Sequence, residues 1–191
     1  MTKFAIDPGH NCAYDGGASG VSKSENQLIM EVSKKVIKKL KALGHTVVDC
    51  RPRNARSFGD SLRRRSKKAN QHNCDVFVSI HFNAFNGNAH GCEVLYISQA
   101  GKRIAAPVQK EISKLGFHDR GLKYRDDLHV LRATTMPAIL VEGCFCDSWK
   151  DMKRFNAEKM ATAIVKGLTG KTFTKSSKKP CQFCGKLIPN S

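Results

Sequence analysis

Apolar positions along this chain follow two rhythms that take turns, one with a period near two and one with a period near 3.6. Residues 3–7 form a short apolar run closed by Pro8-Gly9, a turn-forming pair, and read as a strand. After a loop carrying Gly16, Gly17 and Gly20, the positions Ile29, Val32, Val36, Leu40 and Leu43 recur in steps of three and four. That spacing predicts a helix over about 24–43 with the stripe facing inward. Lys34, Lys35, Lys38, Lys39 and Lys41 fall mostly off the stripe, where they are expected to stay solvated, and Gly44 stops the helix. A strand over 46–50 and a basic helix over 61–71 follow. Residues 76–82 are apolar on both faces except at Ser79 and His81, as expected of a central strand covered on both sides. A strand over 91–98, a helix over about 102–115, extended stretches at 130–131 and 138–142, and a last helix over about 148–168 complete the pattern. Strands alternating with helices predict an α/β fold, a single domain whose mostly parallel central sheet carries helices on both faces.

The composition changes after Leu168. Residues 169–179 are largely Lys, Ser and Thr, a linker signature, and Cys181-Gln182-Phe183-Cys184 follows as a lone CxxC. The expected organisation is therefore one domain over 1–169 and a short basic tail over 170–191, disordered, with two free thiols. A structural zinc knuckle needs four ligands, and no second CxxC follows. No apolar run reaches the roughly 18 residues of a membrane span, and Asp7 interrupts the N-terminus before a secretory leader could form. Synthesis in a reducing cytosol follows as an expectation, with the eight cysteines serving as small buried hydrophobes rather than as a disulfide framework.

Charge narrows the partners. Lys and Arg number 33 against 16 Asp and Glu, a net charge of +17, which favours nucleic acid, acidic membranes or anionic wall polymers. The densest run, from Arg51 to Lys68, sets eight cations against Asp60 alone. It reads either as an attractor for an anionic polymer or as a solvated helix face. Nucleic acid ranks far behind: aromatic residues make up 7% of the chain and that run holds only Phe58, so cations and stacking rings are not interleaved.

In parallel α/β sheets, sites form where loops converge at the carboxyl ends of the strands. His10 follows the first strand, His81 ends the central one, and Glu142 closes the stretch at 138–142. Glu25 opens the first helix at the same edge, four residues before Ile29, so its carboxylate points inward. Two imidazoles and a carboxylate converging on one point are a ligand set for a catalytic zinc, with the fourth position left to water. Each residue has a plainer reading. Ser22 and Glu25 have the spacing of a capping box, His10 fits an ordinary loop, and His81 fits a hydrogen-bonded core position. Glu142 is harder to explain away, because an unpaired carboxylate on an apolar strand is costly to bury.

The blocks Ile6-Asp7-Pro8-Gly9-His10, Ser24-Glu25, Val78-Ser79-Ile80-His81-Phe82-Asn83-Ala84, Gly91-Cys92-Glu93-Val94 and Met136 to Gly143 occur in order within about 3–168. Together they resemble the zinc-dependent N-acetylmuramoyl-L-alanine amidases, cell-wall hydrolases found as bacterial autolysins and phage endolysins. The resemblance implies that His10, Glu25 and His81 ligate one zinc ion and that Glu142 is the catalytic carboxylate. It implies hydrolysis of the amide between N-acetylmuramic acid and L-alanine in peptidoglycan, with a zinc peptidase acting inside the stem peptide as the competing enzyme. Asn83 is then a candidate hydrogen-bond partner for substrate, or a plain turn former. Arg132 is a candidate for an acidic group of the stem peptide, or a solvated surface residue. Peptidoglycan and anionic wall polymers such as teichoic acid are the expected partners. Without a leader, such a hydrolase is expected to reach the wall after the membrane is permeabilised, as a phage endolysin or, second, as a mother-cell autolysin.

Overall fold

Six strands share one sheet in the computed structural model, which describes residues 1–172. They are β1 (Lys3–Pro8), β2 (Thr46–Asp49), β3 (Val76–Asn83), β4 (Cys92–Tyr96), β5 (Asp119–Tyr124) and β6 (Ala138–Phe145), in the spatial order β2-β1-β3-β6-β4-β5. The first four in that order run parallel; β4 is antiparallel to β6, and β5 is parallel to β4. The helices are α1 (Glu25–Ala42), α2 (Phe58–Gln71), α3 (Gln99–Ser113), α4 (His129–Arg132), α5 (Trp149–Met152) and α6 (Ala157–Thr169). The expected α/β class, with a mostly parallel sheet between helical layers, is the observed one.

Strand side chains alternate between the two faces of a sheet, and here each face has its own core. Ile6, Val78, Ile80, Ile139 and Val141 pack under the α1, α3 and α6 residues Leu28, Val32, Val108 and Ile164. Ala5, Phe77 and Leu140 pack on the opposite side with Ala69 of α2 and Val130 and Leu131 of α4. The alternation places Asp7, Ser79, His81 and Glu142 on this second side. The polar residues that interrupt otherwise apolar central strands therefore share one face, and α2 lies over it.

Several elements depart from the sequence pattern, each for an identifiable reason. Lys39 is buried rather than solvated, and its Nζ lies 2.5 Å from Glu158 of α6, which also meets Lys35 at 2.9 Å. Residues 130–131 belong to the helical turn α4 instead of a strand. The last helix is two helices: Asp151 turns fully inward, its Oδ2 accepting from the backbone N–H groups of Gly91 and Phe145. A new helix then starts at Asn156, whose side chain caps Glu158 and Lys159. The edge strand β5 gives no apolar alternation, because its Asp-Arg-Gly-Leu-Lys-Tyr sequence is largely exposed. Cys12, Cys50, Cys74, Cys92, Cys144 and Cys146 are free thiols, all buried except the half-buried Cys12. Cys181 and Cys184 lie outside the described residues.

Gly167 of α6 makes a close contact with the α3 backbone. A Cβ there would lie 2.5 Å from the Val108 Cα of α3 and 2.8 Å from its nitrogen. Alanine is the better helix former by about 1 kcal/mol, but backbone cannot yield as a flexible side chain can. Gly167→Ala is expected to destabilise the domain by about 1–3 kcal/mol, read as a lower urea midpoint.

Candidate metal centre

β1 delivers the first residue by an abrupt exit from the sheet. The Gly9 N–H donates to the Ile80 carbonyl at 3.1 Å, and a Cβ on Gly9 would lie 2.2 Å from His81 Nε2, so only glycine can pass the imidazole there. His10 and Asn11 then adopt φ values of +48° and +57°, a left-handed conformation that L-residues enter at a cost of roughly 1–2 kcal/mol each. This turn sets the His10 ring edge-on to that of His81, with centroids 4.7 Å apart.

Glu25 closes the set from above the sheet edge. Its Oε1 lies 3.2 Å from His10 Nε2 and 3.2 Å from His81 Nδ1. The backbone N–H groups of Phe82 and Ala18 donate to its two oxygens at 3.2 and 2.9 Å, which fixes the carboxylate in place. The capping box of α1 is formed by Ser24 and Gln27, not by Ser22 and Glu25, so Glu25 has no capping role. One ligand atom from each of His10, Glu25 and His81 falls within 4.8 Å of the others, a candidate metal-binding set.

Asp15 is a site residue that the sequence did not reveal. It is buried in the loop after β1, and its Oδ1 is hydrogen-bonded to His10 Nδ1, which leaves Nε2 facing Glu25. A lone Asp among loop residues gives no signal in sequence; only the fold of the loop aims it. Burial alone would disfavour the His10 imidazolium, but Asp15 and Glu25 outweigh it and push the pKa up to about 10. Burial likewise opposes ionisation of Glu25, yet hydrogen bonds with His10 and His81 hold it well below the usual carboxylate range. The metal-free centre is thus an anion clasped by cationic imidazole, the charge pattern a divalent ion would replace.

Glu142 stands beside this set, but not at a strand end: β6 continues to Phe145, and Glu142 pairs in register with His81 on β3. Its Oε2 is buried with no hydrogen-bond partner among the described residues. Burial pushes its pKa up to about 7, with the charges of Glu25 and Glu93 adding to that rise against the pull of His81. Glu93 faces Glu142 across β4 and is held by Asn83 Nδ2 at 2.9 Å and Arg120 Nε at 3.1 Å. The Asn83 amide therefore meets Glu93, while its Oδ1 accepts from the Ala84 N–H. Arg132 is exposed on α4.

A cavity of about 420 Å³ opens on this face, with His10, His81 and Glu142 in it and Phe58, Leu62 and Leu128 among its walls. Arg125 also lines it, paired with Asp127 through two 2.7 Å contacts. The arrangement suits polar chemistry: a candidate metal set, an unpartnered acid next to it, and an apolar wall.

The chain matches the family model described as N-acetylmuramoyl-L-alanine amidase over residues 4–170. It belongs to that amidase family. Among its relatives are an uncharacterized cell wall amidase of Bacillus anthracis, 34% identical over 85% of this chain, and the N-acetylmuramoyl-L-alanine amidase LytC of Bacillus subtilis, 34% identical over 84%. The endolysin of Bacillus phage SPP1 is 31% identical over 87%. The chain spans 34%, 32% and 64% of the lengths of these three relatives. The catalytic domain of the CD27L endolysin targeting Clostridia difficile superposes with a TM-score of 0.83, at 26% identity, over 91% of this chain and 100% of its own. The catalytic domain of CwlV from Bacillus (Paenibacillus) polymyxa var. colistinus gives 0.77 at 32% identity, over 89% and 97%.

In the metal-free protein, Asp15→Asn is expected to bring the His10 pKa down from about 10 toward its ordinary value of 6.5, read from the imidazole proton shifts in an NMR titration. The sign carries over to stability. A raised folded-state pKa makes the His10 contribution fully present below pH 6.5 and lost as the pH rises through about 10.

Proposed function

We propose that this protein is a zinc-dependent hydrolase that cleaves the amide between N-acetylmuramic acid and L-alanine in peptidoglycan. The observation that carries the reading is the convergence of His10, Glu25 and His81 within 4.8 Å, next to the unpartnered Oε2 of Glu142. Two imidazole nitrogens and one carboxylate oxygen suit zinc, which takes such mixed donors and in catalytic sites leaves a position open. When bound, the ion supplies Lewis-acid chemistry: it makes water more acidic and draws electron density from an amide carbonyl.

The side chains of this protein do the rest. His10 and His81 would hold the ion together with Glu25, and Asp15, bonded to His10 Nδ1, keeps the His10 Nε2 facing Glu25. Glu142 Oε2 takes a proton from the water that adds to the lactyl carbonyl carbon. It returns that proton to the alanine nitrogen as the C–N bond breaks, leaving an amine and a carboxylic acid, which then gives up its proton to solvent. A pKa pushed up to about 7 fits a group that must both accept and give a proton near neutral pH. The walls at Phe58, Leu62 and Leu128 give the extended glycopeptide a surface to lie against. Asn83 orders this end of the site by holding Glu93, with substrate contact as its further proposed role, and Arg132 remains available on the surface for an acidic stem group.

Residues 1–169 form the catalytic unit in this reading, and 170–191 a basic tail. Anionic wall polymers are the proposed partners of the basic surface, where Arg63, Arg64, Lys67 and Lys68 of α2 are exposed. Among the described residues no helix is long and apolar enough to cross a membrane. The proposed route is that of an endolysin, acting on the wall once the membrane is permeabilised, with a mother-cell autolysin as the second case.

Glu142→Gln is expected to retain zinc and lose roughly 10²–10⁴-fold in rate on purified cell wall. Wild-type digestion should free the lactyl carboxyl of muramic acid and an alanine amino terminus; release of a peptide carboxyl instead would make the enzyme a stem peptidase. Wall binding should weaken steeply between about 0.01 and 0.15 M salt, as the Debye length falls from roughly 30 to 8 Å. Salt-independent sedimentation with the wall would remove the polymer from the list of partners.

A further inference from the structure

Arg65 heads the large side chains that are fully buried in this molecule, although its neighbours in the basic run, Arg63, Arg64, Lys67 and Lys68, are exposed. A guanidinium without water must find its partners inside the protein. It finds them at the exit of β1. Nη1 donates to Asp7 Oδ1 at 2.6 Å and to the Pro8 carbonyl at 2.5 Å, Nη2 donates to the His10 carbonyl, and Nε donates to Ser61 Oγ at 3.2 Å. The Gly9 carbonyl between them accepts from Asn11 Nδ2 at 2.8 Å. Every carbonyl from Pro8 to His10 is thus gripped by a side chain, in the segment where His10 and Asn11 hold φ values of +48° and +57°. The other oxygen of Asp7 accepts from Ser79 Oγ at 2.8 Å, and Ser79 lies two residues before His81 on β3.

We infer that Arg65 is a positioning residue for the metal centre. Its planar fork spans a carboxylate and two backbone carbonyls at once, which holds the left-handed turn that presents His10. Through Asp7 and Ser79 the same fork ties that turn to the strand carrying His81. The left-handed backbone of His10 and Asn11 is supported locally by the Asn11 amide on the Gly9 carbonyl, and Arg65 adds the grip on the Pro8 and His10 carbonyls on either side of it. The inference rests on the reading of His10, Glu25 and His81 as zinc ligands.

The test is zinc affinity, measured by competition with a chromogenic chelator, alongside thermal melting of the metal-free proteins. Arg65→Lys keeps the charge opposite Asp7 but, as a point charge, lacks the fork that reaches both carbonyls. Folded Arg65→Lys is expected to bind zinc roughly 10- to 100-fold more weakly than wild type. Wild-type affinity in the folded variant, whatever its melting temperature, would overturn the inference, since a purely stabilising Arg65 would lower the melt and leave the folded site intact. Should Arg65→Lys fail to fold, Ser61→Ala removes the anchor of Nε, together with the acceptor of the Cys12 thiol, and leaves the rest of the fork in place. It is expected to release zinc several-fold faster, and release at the wild-type rate would likewise overturn the role. Failure of the underlying metal reading looks different: wild type itself would take up no zinc, or His81→Ala would bind it as tightly.

Discussion

A single oxygen, Oε1 of Glu25, lies 3.2 Å from a nitrogen of each of two histidines that stand 71 positions apart in the chain, at 10 and 81. Such an arrangement is stable only if every participant is held by something else. A buried carboxylate, a half-buried imidazole pair and a nearby unpartnered acid would each relax toward water if the backbone allowed it. The fold answers with fixed supports. Backbone N–H groups hold Glu25, Asp15 holds His10, and the parallel register of β3 with β6 holds His81 beside Glu142.

The two faces of the sheet divide the labour. The α1, α3 and α6 side is a continuous apolar core, close enough at Gly167 that two helix backbones nearly touch. The α2 and α4 side has a smaller core and gives up the rest of its area to Asp7, Ser79, His81 and Glu142. Polar groups buried on that side are tolerable because they are joined: Arg65 to Asp7, Asp7 to Ser79, Asn83 and Arg120 to Glu93. Glu142 Oε2 and, on α4, His129 Nε2 find no such partner among the described residues, and an unpartnered acid beside a candidate metal set is where proton chemistry is expected.

The basic composition resolves into distinct physical roles in the folded molecule. Arg65 is structural and internal, Lys39 is buried against α6 through Glu158, and Arg63 and Arg64 share the carboxylate of Asp60 at the start of their own helix. The positive field presented to a polymer is what remains after these pairings. The net charge of +17 already subtracts these acids, so the pairings redistribute the positive field over the surface without lowering it.

The α/β class and the helix of the 24–43 stripe were legible in the sequence by itself, which also offered His10, Glu25, His81 and Glu142 as candidates for one site. These are carried by short-range signals: apolar periodicity, turn pairs, and polar residues breaking apolar strands. It also carried the family resemblance, through blocks that keep their order. The break that divides the last helix into α5 and α6, the exposed edge strand β5 and the helical turn at α4 were not legible, because each is decided by partners remote in sequence. Asp151 breaks a helix to reach Gly91, and β5 survives by pairing with β4 rather than by burying a face. The same holds within the site. Asp15, Arg65 and Glu93 look like ordinary loop and surface charges in one dimension, and only tertiary packing aims them at the centre, since the direction of a side chain across a sheet edge is a property of the fold and not of its neighbours in the chain.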